Sequence, residues 1–192
     1  MFKFAVVLFS ILTVFNSFAF EPSDSEMKNI ISELRRGESD FVLSLLSKGM
    51  NPNISVFHNI PLLHTALYSE NGDSNLNRNY KKLANSLILN PRTDLSSANV
   101  DGDTPLFIVR NFERVKLLLE NGANPHYVKV NTQYGISTTL LSTQTSYHIV
   151  RLLLDYKVAV TCDDYMSSYT TEIEKLLFEK LASSGVDPDS CW

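Results

Sequence analysis

Four histidines and two cysteines are the side chains of this 192-residue chain best suited to chemistry, and their spacing argues for little of it. His58, His64, His126 and His148 are too scattered for an H-x-x-x-H or H-E-x-x-H pair, in which two imidazoles one helical turn apart share a metal. No G-x-S-x-G elbow, P-loop or glycine-rich dinucleotide turn is present, so no motif offers an exposed nucleophile or a cradle for phosphate. Ser167, Ser168 and the scattered carboxylates have no base at a readable spacing. Cys162 and Cys191 make no C-x-x-C pair, which favours a structural over a redox role. These residues predict a binding protein and not an enzyme, with no catalytic group, no metal and no cofactor.

Charge narrows the kind of partner. A formal net charge of -4 argues against nucleic acid, whose phosphates need clustered Lys and Arg, while 44% apolar residues suffice for a full core. Arg78, Lys81, Lys82 and Arg92 lie together. Asp163, Asp164, Glu172, Glu174, Glu179, Asp187 and Asp189 crowd the C-terminal end, against Lys175 and Lys180 only. Two solvated faces account for this; the sharper alternative is that the C-terminal end meets a basic patch on a partner.

The elements that must position such residues are clearest between Asp101 and Pro125. Asp101-Gly102 suits a tight turn, and Thr104 is placed to N-cap a helix whose first residue is Pro105. Val115, Leu118 and Leu119 then recur at helical spacing, and Gly122 supplies a left-handed C-cap. Val150 to Leu154 repeats Val115 to Leu119, and Val42, Leu45, Leu46, Gly49 and Asn53 anticipate it, followed by Asn59-Ile60-Pro61-Leu62. Leu87-Ile88-Leu89 falls in the same place again, and Leu177 to Leu181 with Gly185-Val186-Asp187-Pro188 echoes Gly122-Ala123-Asn124-Pro125.

This pattern resembles the ankyrin-repeat family over about five units of roughly 33 residues. The resemblance implies an all-α solenoid of helix-turn-helix units with β-hairpin finger loops. It would be a single domain over 20–192, with units near 25–53, 54–95, 96–126, 127–160 and 161–192.

Within it, Met27 to Arg36 is expected to form the first helix, with Ile30, Ile31 and Leu34 inward and Ser39 capping the second. The polar stretch 69–77 reads as a loop inserted between helices, and the first helices of units three and four read as clipped. Alternation over His126 to Gly135 predicts a hairpin finger, with a companion at Ile54 to Asn59. His64 lies beside the family's histidine position, which implies a core role. If Lys157 takes the place of Gly122, Cys162 and Cys191 sit at neighbouring points of adjacent units, and a disulfide is expected in an oxidising compartment.

Met1 to Ala19 reads as a cleavable signal peptide: Lys3, an apolar run from Phe4 to Phe15, then small residues at Ser17 and Ala19. The rival, a membrane anchor, asks for about 20 apolar residues. A signal-bearing chain of this layout is similar to the small periplasmic self-protection proteins of predatory bacteria, which cap cell-wall DD-endopeptidases. That similarity implies a periplasmic inhibitor, monomeric when free and outside the membrane after signal cleavage, whose partner is a peptidoglycan hydrolase. A non-inhibitory scaffold and a secreted effector are the alternatives. Exposure and chemistry nominate Phe57, His58, Tyr127, Lys129 and Tyr134 on the fingers, with Tyr165, Tyr169 and Trp192 at the acidic end, as partner contacts.

Overall fold

The computed structural model describes residues 19–70, 74–131 and 135–192. The expected signal segment therefore falls, but for Ala19, outside the described residues. Helices follow one another in pairs: α1 (Asp24–Arg35) with α2 (Asp40–Ser47), α3 (Leu62–Glu70) with α4 (Ser74–Ile88), and α5 (Pro105–Ile108) with α6 (Phe112–Glu120). A 3-10 turn at Leu141–Thr143 precedes α7 (Tyr147–Asp155), and α8 (Cys162–Met166) precedes α9 (Thr171–Ser183). Two short strands, β1 (Lys129–Asn131) and β2 (Ile136–Thr138), form an antiparallel hairpin.

Local chemistry sets most of these boundaries. Ser23 and Glu26 close a capping box that starts α1, and Asn111 accepts the Arg114 N–H to start α6, so α5 has room for a single turn. The second helix of four pairs ends alike: Gly49, Gly122, Lys157 and Gly185 hold positive φ, and the next N–H reaches back to Leu45, Leu118, Leu153 and Leu181 respectively. Lys157 keeps this geometry at φ 63° although it carries a side chain, which makes it the equivalent of Gly122. The fifth such helix, α4, stops before Asn90-Pro91 without a glycine.

The core is one continuous cluster running from Ile30 and Leu34 through Leu62, Leu83, Leu106, Leu118, Ile149 and Leu153 to Ile173, Leu177 and Leu181. α3 packs on both α4 and α5, α6 on α7, and α7 on α9, so from α3 onward neighbouring pairs cover one another's apolar faces. Polar ties reinforce the order. The Tyr80 hydroxyl donates to the Leu34 carbonyl, Asn79 donates to Gly37, and the Arg92 guanidinium reaches the Gly49 and Met50 carbonyls just past α2. Asn53 donates to the Arg92 carbonyl and accepts from the Asp94 N–H.

Several expectations are corrected. α1 begins at Asp24, one turn before Met27. Ser39 occupies the N-cap of α2 but its hydroxyl donates to the Asn79 carbonyl; the buried Glu33 carboxylate caps α2 instead, accepting from Phe41 N–H at 2.8 Å and Val42 N–H at 3.0 Å. Thr104 also makes no side-chain cap bond. Within the 69–77 stretch, Ser69 and Glu70 belong to α3 and Ser74 to Asn77 to α4, where a loop is expected; residues 71–73 lie outside the described set. Ile54 to Asn59 forms no strand pair: one bridge joins Ser55 to Pro61 around a 3-10 turn at Phe57–Asn59.

His64 is fully buried, and its Nε2–H donates to the Asp103 carbonyl 2.9 Å away. Burial, the dominant influence, holds its pKa below the usual histidine value, and Nδ1 has no hydrogen-bond partner among the described residues. Protonating Nδ1 would bury a charge with no acceptor for its new N–H. The unfolded chain, with a histidine pKa near about 6.5, binds that proton more readily than the folded one. Stability therefore falls as pH drops below about 6.5, and the fall levels off once the folded state also protonates. A His64→Gln variant should show a flatter dependence of urea midpoint on pH between about 6.5 and 5; an unchanged slope would assign the acid sensitivity to other groups.

Candidate binding surface

The hairpin stands on a polar turn and an aromatic contact. Asn99 accepts the N–H groups of Asp101 and Asp103 through its side-chain oxygen, and its own N–H bonds the Asp103 carbonyl. The turn so held points the Asp103 carboxylate at Lys129, whose ammonium lies 2.8 Å away with both side chains largely buried. The Lys129 stem passes over Gly102, at φ 79°, where a Cβ would meet it at 3.6 Å. The Tyr127 ring meets Phe107 edge-on at 6.0 Å, and at the exit of the hairpin the Thr139 hydroxyl donates to the buried Asp164. Entry and exit strands are thus both anchored.

Strand alternation decides what is offered outward. Register pairs Lys129 with Thr138, Val130 with Ser137 and Asn131 with Ile136. With Lys129 turned back to Asp103, Val128 and Val130 fall on the opposite face and are 44% and 58% exposed; Ile136, opposite Asn131, lies on the Lys129 face and is also 58% exposed. At the hairpin base a groove of about 140 Å³ is lined by Tyr127, Val128 and Leu140 together with Val158, Ala159 and Thr161.

The nominated contacts divide accordingly. Tyr127 and Lys129 belong to the hairpin but serve mainly to mount it, and Tyr134 lies outside the described residues. Phe57 is half-buried beneath the Arg35 guanidinium, 5.8 Å from its ring centroid, while His58 is exposed at φ 49°. Tyr165 departs from expectation: it packs in the core at 8% exposure, because α8 lies against α9. Tyr169 and Trp192 are exposed, and Trp192 meets Tyr165 edge-on at 6.3 Å. Cys162 and Cys191 are joined in a disulfide with Cα atoms 5.3 Å apart. Val128, Val130 and Ile136 were not nominated, although the alternation that predicts the hairpin already sets Val128 and Val130 on one side.

Beside these surfaces, chemistry is sparse. Among the described residues no three His, Cys, Asp or Glu side chains gather as a metal site, and no helix is long and apolar enough to cross a membrane. His58, His126 and His148 are exposed on separate elements. No curated protein matches the chain. The turn at Asp101, the α5–α6 pair, the Gly122 cap and the first residue of β1 together span residues 101–129, and that segment matches the family model of the ankyrin repeat, a unit that supports protein–protein interaction.

Proposed function

We propose that the five helix pairs form one ankyrin-type solenoid over residues 20–192, exported behind a signal at 1–19, that binds and blocks a cell-wall endopeptidase of the penicillin-binding-protein type. Its task is then to keep that enzyme from the producer's own peptidoglycan. The observation that carries the binding role is the doubly anchored hairpin, which holds Val128, Val130 and Ile136 in solvent on a rigid mount. Exposed apolar side chains on a preorganised support lose little entropy on binding, so few contacts suffice for useful affinity. The export signal, the disulfide and the similarity of layout to self-protection proteins support the periplasmic partner.

The test is capture from periplasmic extract with the oxidised protein, followed by peptidoglycan digestion with whatever is retained. A retained hydrolase that stops cleaving at equimolar protein supports the reading; a retained enzyme that keeps its activity makes the protein a scaffold. For the surface itself, Val130→Asp with Ile136→Asp is expected to weaken binding about tenfold or more, since charges would be buried against an apolar partner. Unchanged affinity by calorimetry would move the interface off the hairpin.

A further inference from the structure

The two ends of the molecule differ in what they show to solvent. α1 turns Asp24, Ser25, Lys28, Ser32 and Arg35 outward. The end built from α8, α9 and the 3-10 turn Pro188–Cys191 instead exposes Met166, Tyr169, Phe178 and Trp192, the last two 39% and 83% accessible. These side chains do not lie loose. Tyr165 is the buried hub of two of them, with the Phe178 ring edge-on at 6.0 Å and the Trp192 ring edge-on at 6.3 Å. The Cys162–Cys191 bond ties the residue before Trp192 to the first residue of α8, so the indole stays beside Tyr165.

Carboxylates surround this aromatic surface. Glu174 precedes Phe178 by one helical turn on the same face of α9, and Asp163 is adjacent to the bridged Cys162, whereas Glu179 lies on another side of α9 in a depression with Tyr147, Glu172 and Lys175. Among the described residues, Asp40, Asp103, Glu38 and Glu120 are all paired with Lys or Arg, whereas Asp163, Glu174 and Glu179 take part in no ion pair.

We propose that this end face docks a basic segment of the partner protein, an arginine lying on the Trp192 or Tyr169 ring and pairing with the neighbouring carboxylates. The inference rests on the reading of the chain as a protein-binding module, but not on the partner being a hydrolase. Charge complementarity selects the occupant. An acidic segment would be repelled, and a second copy of this chain, joined by a symmetric contact, would set the same carboxylates against one another. Arginine fits better than lysine because its planar, weakly hydrated guanidinium can stack on a ring while it bonds a carboxylate.

Trp192 is the single tryptophan of the chain, so its fluorescence reports on this surface alone. The full-length oxidised protein is titrated with a short arginine–glycine peptide and with the same peptide carrying citrulline, which keeps the shape and removes the charge. A saturable change with the arginine peptide is expected. Affinity should fall about tenfold with citrulline, and comparably in the Asp163→Asn/Glu174→Gln variant or after reduction of the disulfide. Asp163 and Glu174 are exposed, so the variant keeps its fold, which circular dichroism verifies. A flat titration, an equal response to citrulline, or concentration-dependent self-association would each overturn the proposal. None of these residues belongs to the hairpin: inhibition of a captured hydrolase alongside a flat titration discards the end face only, while a saturable titration with no hydrolase captured discards only the choice of enzyme.

Discussion

Asp164→Ala is expected to lower the unfolding free energy by about 3 kcal/mol, read from urea denaturation followed by circular dichroism. The side chain is 1% exposed, and its carboxylate is fully used. Oδ2 accepts the Thr161 N–H and the Thr161 hydroxyl, each at 2.8 Å, while Oδ1 accepts the Thr139 hydroxyl. Alanine would leave these donors without their acceptor and undo the capping box that starts α8. Asp164→Asn separates charge from shape. Its amide oxygen can keep the two Thr161 bonds, and its amide nitrogen can donate to Thr139, whose hydroxyl already accepts the Ser142 N–H and has a second lone pair free. A loss of about 1 kcal/mol is expected for asparagine. Equal losses for the two variants would mean that the charge, and not the bonding pattern, holds the site.

The same substitution reaches the hairpin, because Thr139 directly follows β2. With the exit anchor gone and the Lys129–Asp103 pair intact, amide exchange should quicken at Ile136 to Thr138 well before it quickens in α6 or α7.

That link was not legible in the sequence, and the reason is general to this chain. Signals confined to a few neighbouring residues were readable: the apolar spacing of Val115, Leu118 and Leu119, the glycine stop at Gly122, and even Lys157 standing in a glycine's place. Each is decided by local geometry and a repeated template. Caps taken over by distant groups were not. Ser39 has the right chemistry for α2, yet Glu33, folded back across a turn, satisfies the Phe41 and Val42 N–H groups with its two carboxyl oxygens and frees the serine for Asn79.

The polar stretch 69–77 read as a loop because its asparagines and serines are poor helix formers. Tyr80, Leu83, Ala84 and Leu87 are buried along one face of α4, and that packing carries the helix upstream to Ser74 in spite of propensity. At the candidate site the existence of the hairpin was legible, but its register was not. The second strand runs beyond Gly135, the end of the alternating stretch, since Lys129 and Thr139 fix the register through Asp103 and Asp164, one and two helix pairs away. The sorting of Tyr165 into the core and Trp192 into solvent depends on how α8 meets α9, which no spacing within a five-residue helix reveals.

Reducing the Cys162–Cys191 bond is expected to lower the unfolding free energy by between about 3 and 4 kcal/mol, as chain-entropy arguments give for a loop of this length. The two cysteines are 29 residues apart, and the loop they close contains α8 and α9. Reduction therefore enlarges the freedom of the unfolded chain more than it disturbs helices whose buried faces, Ile173, Leu177 and Leu181, stay packed on the core. The urea midpoint should drop and the slope should rise somewhat, since the unfolded chain without the cross-link is less compact and exposes more surface. Within the native state the loss should be local. The turn Pro188–Cys191 is held by the Asp187 cap and a Ser190 N–H bond to the Asp187 carbonyl, so its amides should lose exchange protection in the reduced protein while those of α9 retain theirs. A Cys191→Ser variant should behave as the reduced protein does. If instead α9 loses protection together with the turn, the bond stabilises the whole last helix pair, and the aromatic end face around Trp192 exists only in an oxidising compartment.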